Sequence, residues 1–549
     1  MKHRTHLVIS LLVCLGGPIS FGCQDRSASA WSELGKIDFP TSGSPEAQEH
    51  FIQGALLLHS FEFEDAAEAF QQAQQIEPDF AMAYWGEALT HNHPLWEQQD
   101  AKAAREVLAR LAPTPEERLA KAPTEREKDY LRTVEVLYGE GTKEERDFAY
   151  LEAIRQIAEK YPDDLEAASL HALATLGTSH DERDFRIYMR AAAIAEEVFA
   201  KNPFHPGAVH YLVHSYDDPI HAPIGLRAAR VYAKIAPAAA HALHMPSHVF
   251  VSLGMWDEAV ASNEDSWQAG EARVERKNLG TDGREFHSLW WLEYAYLQQG
   301  RYREARKLLD IIEADAAKSG SKLTRQHLVA LRSHYRVESR QWQADSIQID
   351  TSGLRTSSLA QDLFVQGMSV VKTRDLAAAK ALLAKLSAYL DKERERAAQE
   401  LGAGGMAYVG PLRGAEVMAL ELEALMRLAE GKAADATQVM QSAVAAEDKL
   451  SLGYGPPYPV KPAHELFGEM LLGLDRPEEA REQFERALER APRRALSLLG
   501  LARAAAKAGD SQKAKDTYAE LLGIWHRADD DLPGLAEVRQ AATAQLATR

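Results

Sequence analysis

Apolar positions of two sizes alternate along most of the chain and recur every 34 residues. Gly54, Phe63, Ala66, Phe70, Ala73 and Pro78 make one unit, and Gly468, Ala480, Phe484, Ala487 and Pro492 share its register. Ala502, Gly509, Ala514 and Tyr518 continue it 34 residues further on. Partial units stand at Gly254-Met255-Trp256 with Ala259, at Gly300-Arg301-Tyr302 with Ala305, and at Ala424, Gly431 and Ala436. Pro203 and Pro237 are spaced alike. This pattern predicts paired helices: small residues where the two helices approach, bulky ones between them, and Pro to stop the second. The interruptions divide the array. Residues 23–45 are polar and read as a tether, and 111–126 as an irregular insertion or a short capped helix. Residues 345–358 carry no helical period, and 402–410 and 453–462 are Gly/Pro loops. No strand is needed anywhere.

The unit's spacing is that of positions 8, 17, 20, 24, 27 and 32 of the tetratricopeptide repeat (TPR), which the chain resembles. The expected fold is therefore an all-α, TPR-like right-handed helical solenoid. Its N-terminal array covers 46–344, a linker covers 345–358, and a C-terminal array covers 359–549. The resemblance implies a concave groove lined by positions 2, 5, 9, 12 and 13 of each repeat.

The N-terminus changes the picture of where the protein works. Lys2 and Arg4 precede an uncharged, mostly apolar run over 7–21, too short for a comfortable membrane span. Residues 1–22 read as an export signal peptide, followed by the 23–45 linker. Ser20-Phe21-Gly22-Cys23 resembles a lipobox, which makes Cys23 the lipidation site and the protein a periplasmic or cell-envelope lipoprotein. Ala28-Ser29-Ala30 offers the alternative of ordinary cleavage and a soluble secreted protein. No later segment is apolar enough for a membrane helix, so membrane contact is expected only through the lipid. The two Cys exclude a disulfide scaffold and a four-cysteine metal site. A net charge of −18 argues against nucleic acid as a partner.

Histidine is where chemistry enters. Seven of the 20 His lie between His205 and His248: 205, 210, 214, 221, 241, 244 and 248. In the repeat register His210 and His214 take positions 5 and 9 of one helix, and His244 and His248 the same positions of the next. Residues four apart share a helix face, so each pair converges and the two pairs should be neighbours. His287 falls at position 2 of its repeat, and Asp217 and Asp218 follow His214 closely. Neutral imidazole suits a divalent transition metal such as Zn or Cu, with the carboxylates as ligand, support for a His N–H, or general base. His210, His214, His244 and His248 are the candidate ligands, with His287, Asp217 and Asp218 as additions. The bland alternative is that these rings hydrogen-bond backbone or a peptide ligand, with His205 and His241 packing at helix starts. Pro246 also stands between His244 and His248, and an interior Pro breaks or kinks a helix.

His59, Trp85, His93, Trp290 and Tyr294 are candidate groove residues. The His464-Glu465 pair reads as helix-start packing. No Gly-x-Ser-x-Gly elbow, His-Glu-x-x-His helix or Rossmann fingerprint is present, and the glycines near 402 lack the Lys-Ser/Thr of a phosphate loop. The Lys/Asn pairs of a carboxylate-clamp groove are absent as well.

His241-Ala242-Leu243-His244-Met245-Pro246-Ser247-His248, followed by Gly254, Trp256, Asn263 and Ser266, is similar to the motif of a group of exported bacterial TPR proteins. Ala81–Gly86, the 210–221 stretch and Pro459-Val460-Lys461-Pro462-Ala463-His464-Glu465 carry the same resemblance. It implies the fold and leaves the role open. Two functions are expected: a protein- or peptide-binding scaffold using the groove, or a metal-dependent enzyme or metal-binding protein using its histidines.

Overall fold

The computed structural model describes residues 33–180, 182–342, 349–402 and 410–543. The signal-peptide and lipobox readings, Cys23 included, lie outside them. Helices follow one another in antiparallel pairs from Pro45–His59 and Phe63–Ile76 to Ala495–Lys507 and Ser511–Ile524, each packed on its neighbours. The fold is an all-α, TPR-like solenoid, as the 34-residue period predicts.

The repeat's packing logic is visible twice, at opposite ends of the chain. Phe70 is pinched between Gly54 and Gly86, where a Cβ would come within 2.7 and 2.3 Å of its ring. Phe484 is pinched by Gly468 and Gly500, at 2.9 and 2.2 Å. A bulky ring in the second helix of a pair thus enters slots left open by glycines on the helices either side.

The 111–126 segment is the capped-helix option. Pro115–Lys121 begins with a capping box at Thr114 and Glu117, and the next helix begins with one at Thr124 and Glu127. Both orphan N–H groups of a helix start are satisfied that way. One correction concerns strands: Asn92–His93 pairs with Gln98–Gln99, a minimal antiparallel ladder closed by a 3-10 turn through Pro94. The turn needs Glu97 in the left-handed region at φ +54°, which the repeat pattern does not signal.

The solenoid closes upon itself. The first hairpin reaches the middle of the chain: Glu62 accepts the His241 N–H at 3.0 Å, and Arg273 pairs with Asp65. The last turns fold back as well. Trp525 Nε1 donates to the Gln298 carbonyl at 3.1 Å, and Arg493 donates to the Gly254 carbonyl at 2.9 Å. One hydrophobic core accordingly runs from Leu34 to Tyr335 and takes in side chains between Ala495 and Val538. A second runs from Val337 to Ala504. Among the described residues no helix is long and apolar enough to cross a membrane.

Candidate metal centre

The helix Pro206–Tyr216 is buried along its whole length. His205 caps it: its Nδ1 accepts the Ala208 N–H at 3.2 Å, and its Nε2 lies 2.9 Å from Glu166 Oε1. Glu166 also meets His59 Nε2 at 2.7 Å, and the other His59 nitrogen meets the Tyr211 hydroxyl at 2.8 Å. Burial alone would raise the Glu166 carboxyl, but His205 and His59 hold it down at about 2. In the His59–Glu166–His205 group both His59 nitrogens are hydrogen-bonded, while His205 Nε2 and Glu166 Oε1 face each other at 2.9 Å without a hydrogen bond of good geometry.

His59 also fixes the next ring. His210 Nδ1 donates to the His59 carbonyl at 2.7 Å, which leaves its Nε2 as a bare lone pair, buried and without a partner among the described residues. His248 Nδ1 donates to Asp217 Oδ2 at 2.9 Å, and His214 Nδ1 lies 3.4 Å from that same oxygen. Asp217 is ionised, because Arg183 and the two imidazoles outweigh its burial and hold its carboxyl far below the usual range. An anion accepts only, so the His248 proton sits on Nδ1 and its Nε2 is unprotonated.

His244 reaches the same state by another route. Asn263 Nδ2 donates to the Ala259 carbonyl at 2.8 Å, so its Oδ1 faces His244 and accepts from Nδ1 at 2.6 Å. His244 Nε2 then lies 3.1 Å from His248 Nε2 with no proton available for either. Pro246 does not prevent the pairing. Met245 keeps helical angles (φ −54°, ψ −36°) between Ala240–His244 and Pro246–Ser252, so the turn continues although Pro246 has no N–H to give.

The rings form two neighbouring triads. His244, His248 and His287 each bring a nitrogen within 4.8 Å of the others, and so do His210, His214 and His241. The register separates what the sequence pairs: the two position-5/9 pairs lie side by side, but each is completed by a position-2 histidine, His287 or His241. Aromatic walls surround both. His248 lies near-parallel to Trp291 (4.4 Å, 17°) and to Tyr454 (4.9 Å, 21°), which are themselves 6.4 Å apart, and Phe61 lies 4.2 Å from His210. Burial, with neighbouring imidazoles adding to it, pushes His210, His241, His244 and His287 well below the ordinary value, and His248 to about 4. These are neutral imidazoles, the form that ligates metals.

The other singled-out residues sit elsewhere. Asp218 accepts from the Ile220 and His221 N–H groups and from His221 Nδ1, away from both triads. Trp85 is core and its Nε1 donates to Thr133. His93 stacks on Phe63 and bonds the Thr90 carbonyl. Trp290 Nε1 donates to His334, and Tyr294 Oη accepts from Arg494. Glu465 is fully buried and binds both Arg494 and Lys461. Four contributors have no sequence reading as site residues. His241 shares the register of His287 and was legible on that ground. Asn263, Arg183 and Tyr454 come from distant segments. Tyr454 belongs to the 453–462 loop, and it lines a cleft of about 160 Å³ between the two halves of the chain, with Ser252, Trp256 and Arg490 on its walls.

No family model matches the chain, and no curated protein does. Solved structures similar to it include the Cut9–Hcn1 hetero-tetramer of the APC/C (12% identity, TM-score 0.34, covering 92% of this chain and 78% of that one). The human IFIT1 dimer with m7Gppp-AAAA (12%, 0.34, 95% and 93%) and the TPR domain of P58(IPK) (13%, 0.20, 91% and 99%) are others. At these values the likeness is one of helix packing and assigns no chemistry.

Proposed function

We propose that this protein binds a transition-metal ion, Zn or Cu, through His244, His248 and His287. One observation carries the reading. Two imidazole lone pairs face each other at 3.1 Å in a buried site, with the other nitrogen of each ring already committed as a donor. Without a cation between them that contact is repulsive. Two nitrogens on one tetrahedral ion at about 2.0–2.1 Å stand roughly 3.3 Å apart, close to the spacing present. Asp217 and Asn263 hold the ligand rings from behind, as supporting groups do in metal sites. Three ligands leave a coordination position for water or substrate.

The test is elemental analysis of protein purified without chelator and then reloaded with Zn2+ or Cu2+. A stoichiometric ion that disappears in His244→Ala/His248→Ala supports the reading. No retained ion in the reloaded wild type refutes it.

A protein-binding scaffold is the second reading, supported by the repeat fold and by exposed Phe204, Ile220 and Ile224. Of the concave positions, His210, His214, His244, His248 and Tyr294 are at most 5% exposed and Trp290 is half-buried, so the exposed apolar side chains open to such a partner are those of the outer surface. Loss of a cross-linked partner in Phe204→Glu/Ile224→Glu would support it, and unchanged cross-linking would count against that surface. In either reading the protein acts in the cell envelope, anchored at Cys23. Cys23→Ala should release it from membranes, and an unchanged membrane fraction would refute the anchor.

A further inference from the structure

We infer that the centre holds two ions, the second bound by His210, His214 and His241. This rests on the first site proposed above and adds a neighbour to it. The Nε2 atoms of His210, His214 and His241 are all buried without a hydrogen-bond partner among the described residues. Three unpartnered imidazole nitrogens in one place are rare, because each buried polar atom left unsatisfied costs about 1–3 kcal/mol. Their ligand nitrogens lie within 4.8 Å of one another, and one ion would satisfy all three together.

The two triads share a wall. The rings of His214 and His248 are 5.3 Å apart at 89°, and those of His241 and His244 are 6.0 Å apart. A single oxygen, Asp217 Oδ2, stands behind one ligand of each triad, 2.9 Å from His248 and 3.4 Å from His214. Asp217 is braced in turn by Arg183, which also donates to the His214 and Ser215 carbonyls at the helix end. A structural carboxylate for one helix would not need to reach both. As a shared support it orients one ring toward each ion.

Charge narrows the choice of ions. An imidazole ligand brings no negative charge to an ion, whichever of the six supplies it, and Asp217 is paired with Arg183. Two adjacent dications would repel strongly in such a buried site. Copper meets this condition because it can enter as Cu+, with half the charge and a tolerance for three nitrogen ligands. A pair of Cu+ ions, one per triad, is therefore the expected occupant.

The experiment is anaerobic loading of the full chain with Cu+, removal of excess by desalting, and copper determination per chain. Two Cu+ per chain are expected in the wild type, one in His214→Ala, and one in His248→Ala. The milder His241→Gln, with circular dichroism and melting as checks on folding, should also bind one. One Cu+ in the wild type, lost in His248→Ala, would overturn the second site and leave the first standing. None would overturn the copper pair, and the first site is then decided separately by its own reloading with Zn2+. Proximity is tested by oxidation with ferricyanide, each Cu+ passing one electron to one ferricyanide to give Cu2+ and ferrocyanide. Adjacent Cu2+ ions should give a spin-resonance signal diminished or broadened relative to the one-site variants. A signal integrating to two isolated ions would show that the copper sits apart and overturn the inference.

Discussion

Asn263 sets the protonation of His244 although it is 19 residues away in sequence and on another helix. Its amide is locked by the Ala259 carbonyl, so the oxygen is the only end that His244 can see. The ring's proton is thereby drawn to Nδ1 and its lone pair to the ion. Asn263→Asp keeps an acceptor at that place and should keep metal affinity within a few-fold of wild type. Asn263→Leu removes it and should weaken binding by about 10–100-fold. Competition titration with a chromophoric chelator measures both. Equal affinities in the two variants would show that the tautomer is set by something else.

Asp217→Asn is the corresponding test on His248. The amide can turn its NH2 toward His248 and force the proton to Nε2, where the ion should sit. Affinity should fall by about 10–100-fold while the protein remains folded, because Arg183 keeps its bonds to the His214 and Ser215 carbonyls. A melting temperature that drops with metal affinity unchanged would make Asp217 a purely structural residue.

Tyr454 and Trp291 both pack on His248, and Gly455 makes that closeness possible. Its φ is +81°, and a Cβ there would lie 2.2 Å from Trp291 Cζ2. Gly455→Ala is thus strained twice, in the backbone and against the indole. It should shift Trp291 off His248, visible as altered tryptophan fluorescence, and weaken metal binding without unfolding the chain. Unaltered emission together with unaltered binding would refute the coupling.

Much of this was legible in the sequence, and the reasons for the rest are physical. The 34-residue period specified the helix pairs because Phe70 and Phe484 need glycine slots at fixed offsets, and those offsets are local. The histidine register placed four rings on neighbouring helices for the same reason. Pro246 reads as a helix breaker, yet an αR residue before it let the turn continue. The division into two triads was not legible, since it depends on how the position-2 rings of His241 and His287 reach sideways between helices. Tyr454 arrives only because the solenoid curls back on itself. No repeat pattern encodes that closure.

Arg494 is where the closure is fastened. It is fully buried, and it donates to Glu465 from one helix, to Glu338 from a second and to the Tyr294 hydroxyl from a third. Burial alone would raise Glu465, but Arg494 and Lys461 hold it below the usual carboxylate range. In Glu338 burial wins and its carboxyl stays above it. Removing the cation strands these carboxylates in the interior. Arg494→Met should cost about 3–5 kcal/mol in urea unfolding. A loss below about 1 kcal/mol would mean that the two halves do not depend on this contact.

Glu421 gives a stability effect with a definite sign. It lies fully buried on the helix Gly410–Ala429, and neither carboxylate oxygen has a partner among the described residues. Burial pushes its carboxyl well above the normal 4.5, and the nearby Glu447 and Glu465 add to this against Lys461. The folded state therefore keeps a proton that the unfolded chain gives up near its ordinary value. Its contribution is fully present below about pH 4.5 and declines as pH rises, by about 1.4 kcal/mol per unit, until the folded carboxyl itself ionises. Glu421→Gln removes this term by supplying a neutral side chain of the same shape. Compared by denaturant unfolding at pH 5 and pH 8, the variant should gain on the wild type as pH rises. Glu293, buried and unpartnered in the same way, should leave part of the slope in place. Identical pH dependence in variant and wild type would show that Glu421 is ionised in the fold.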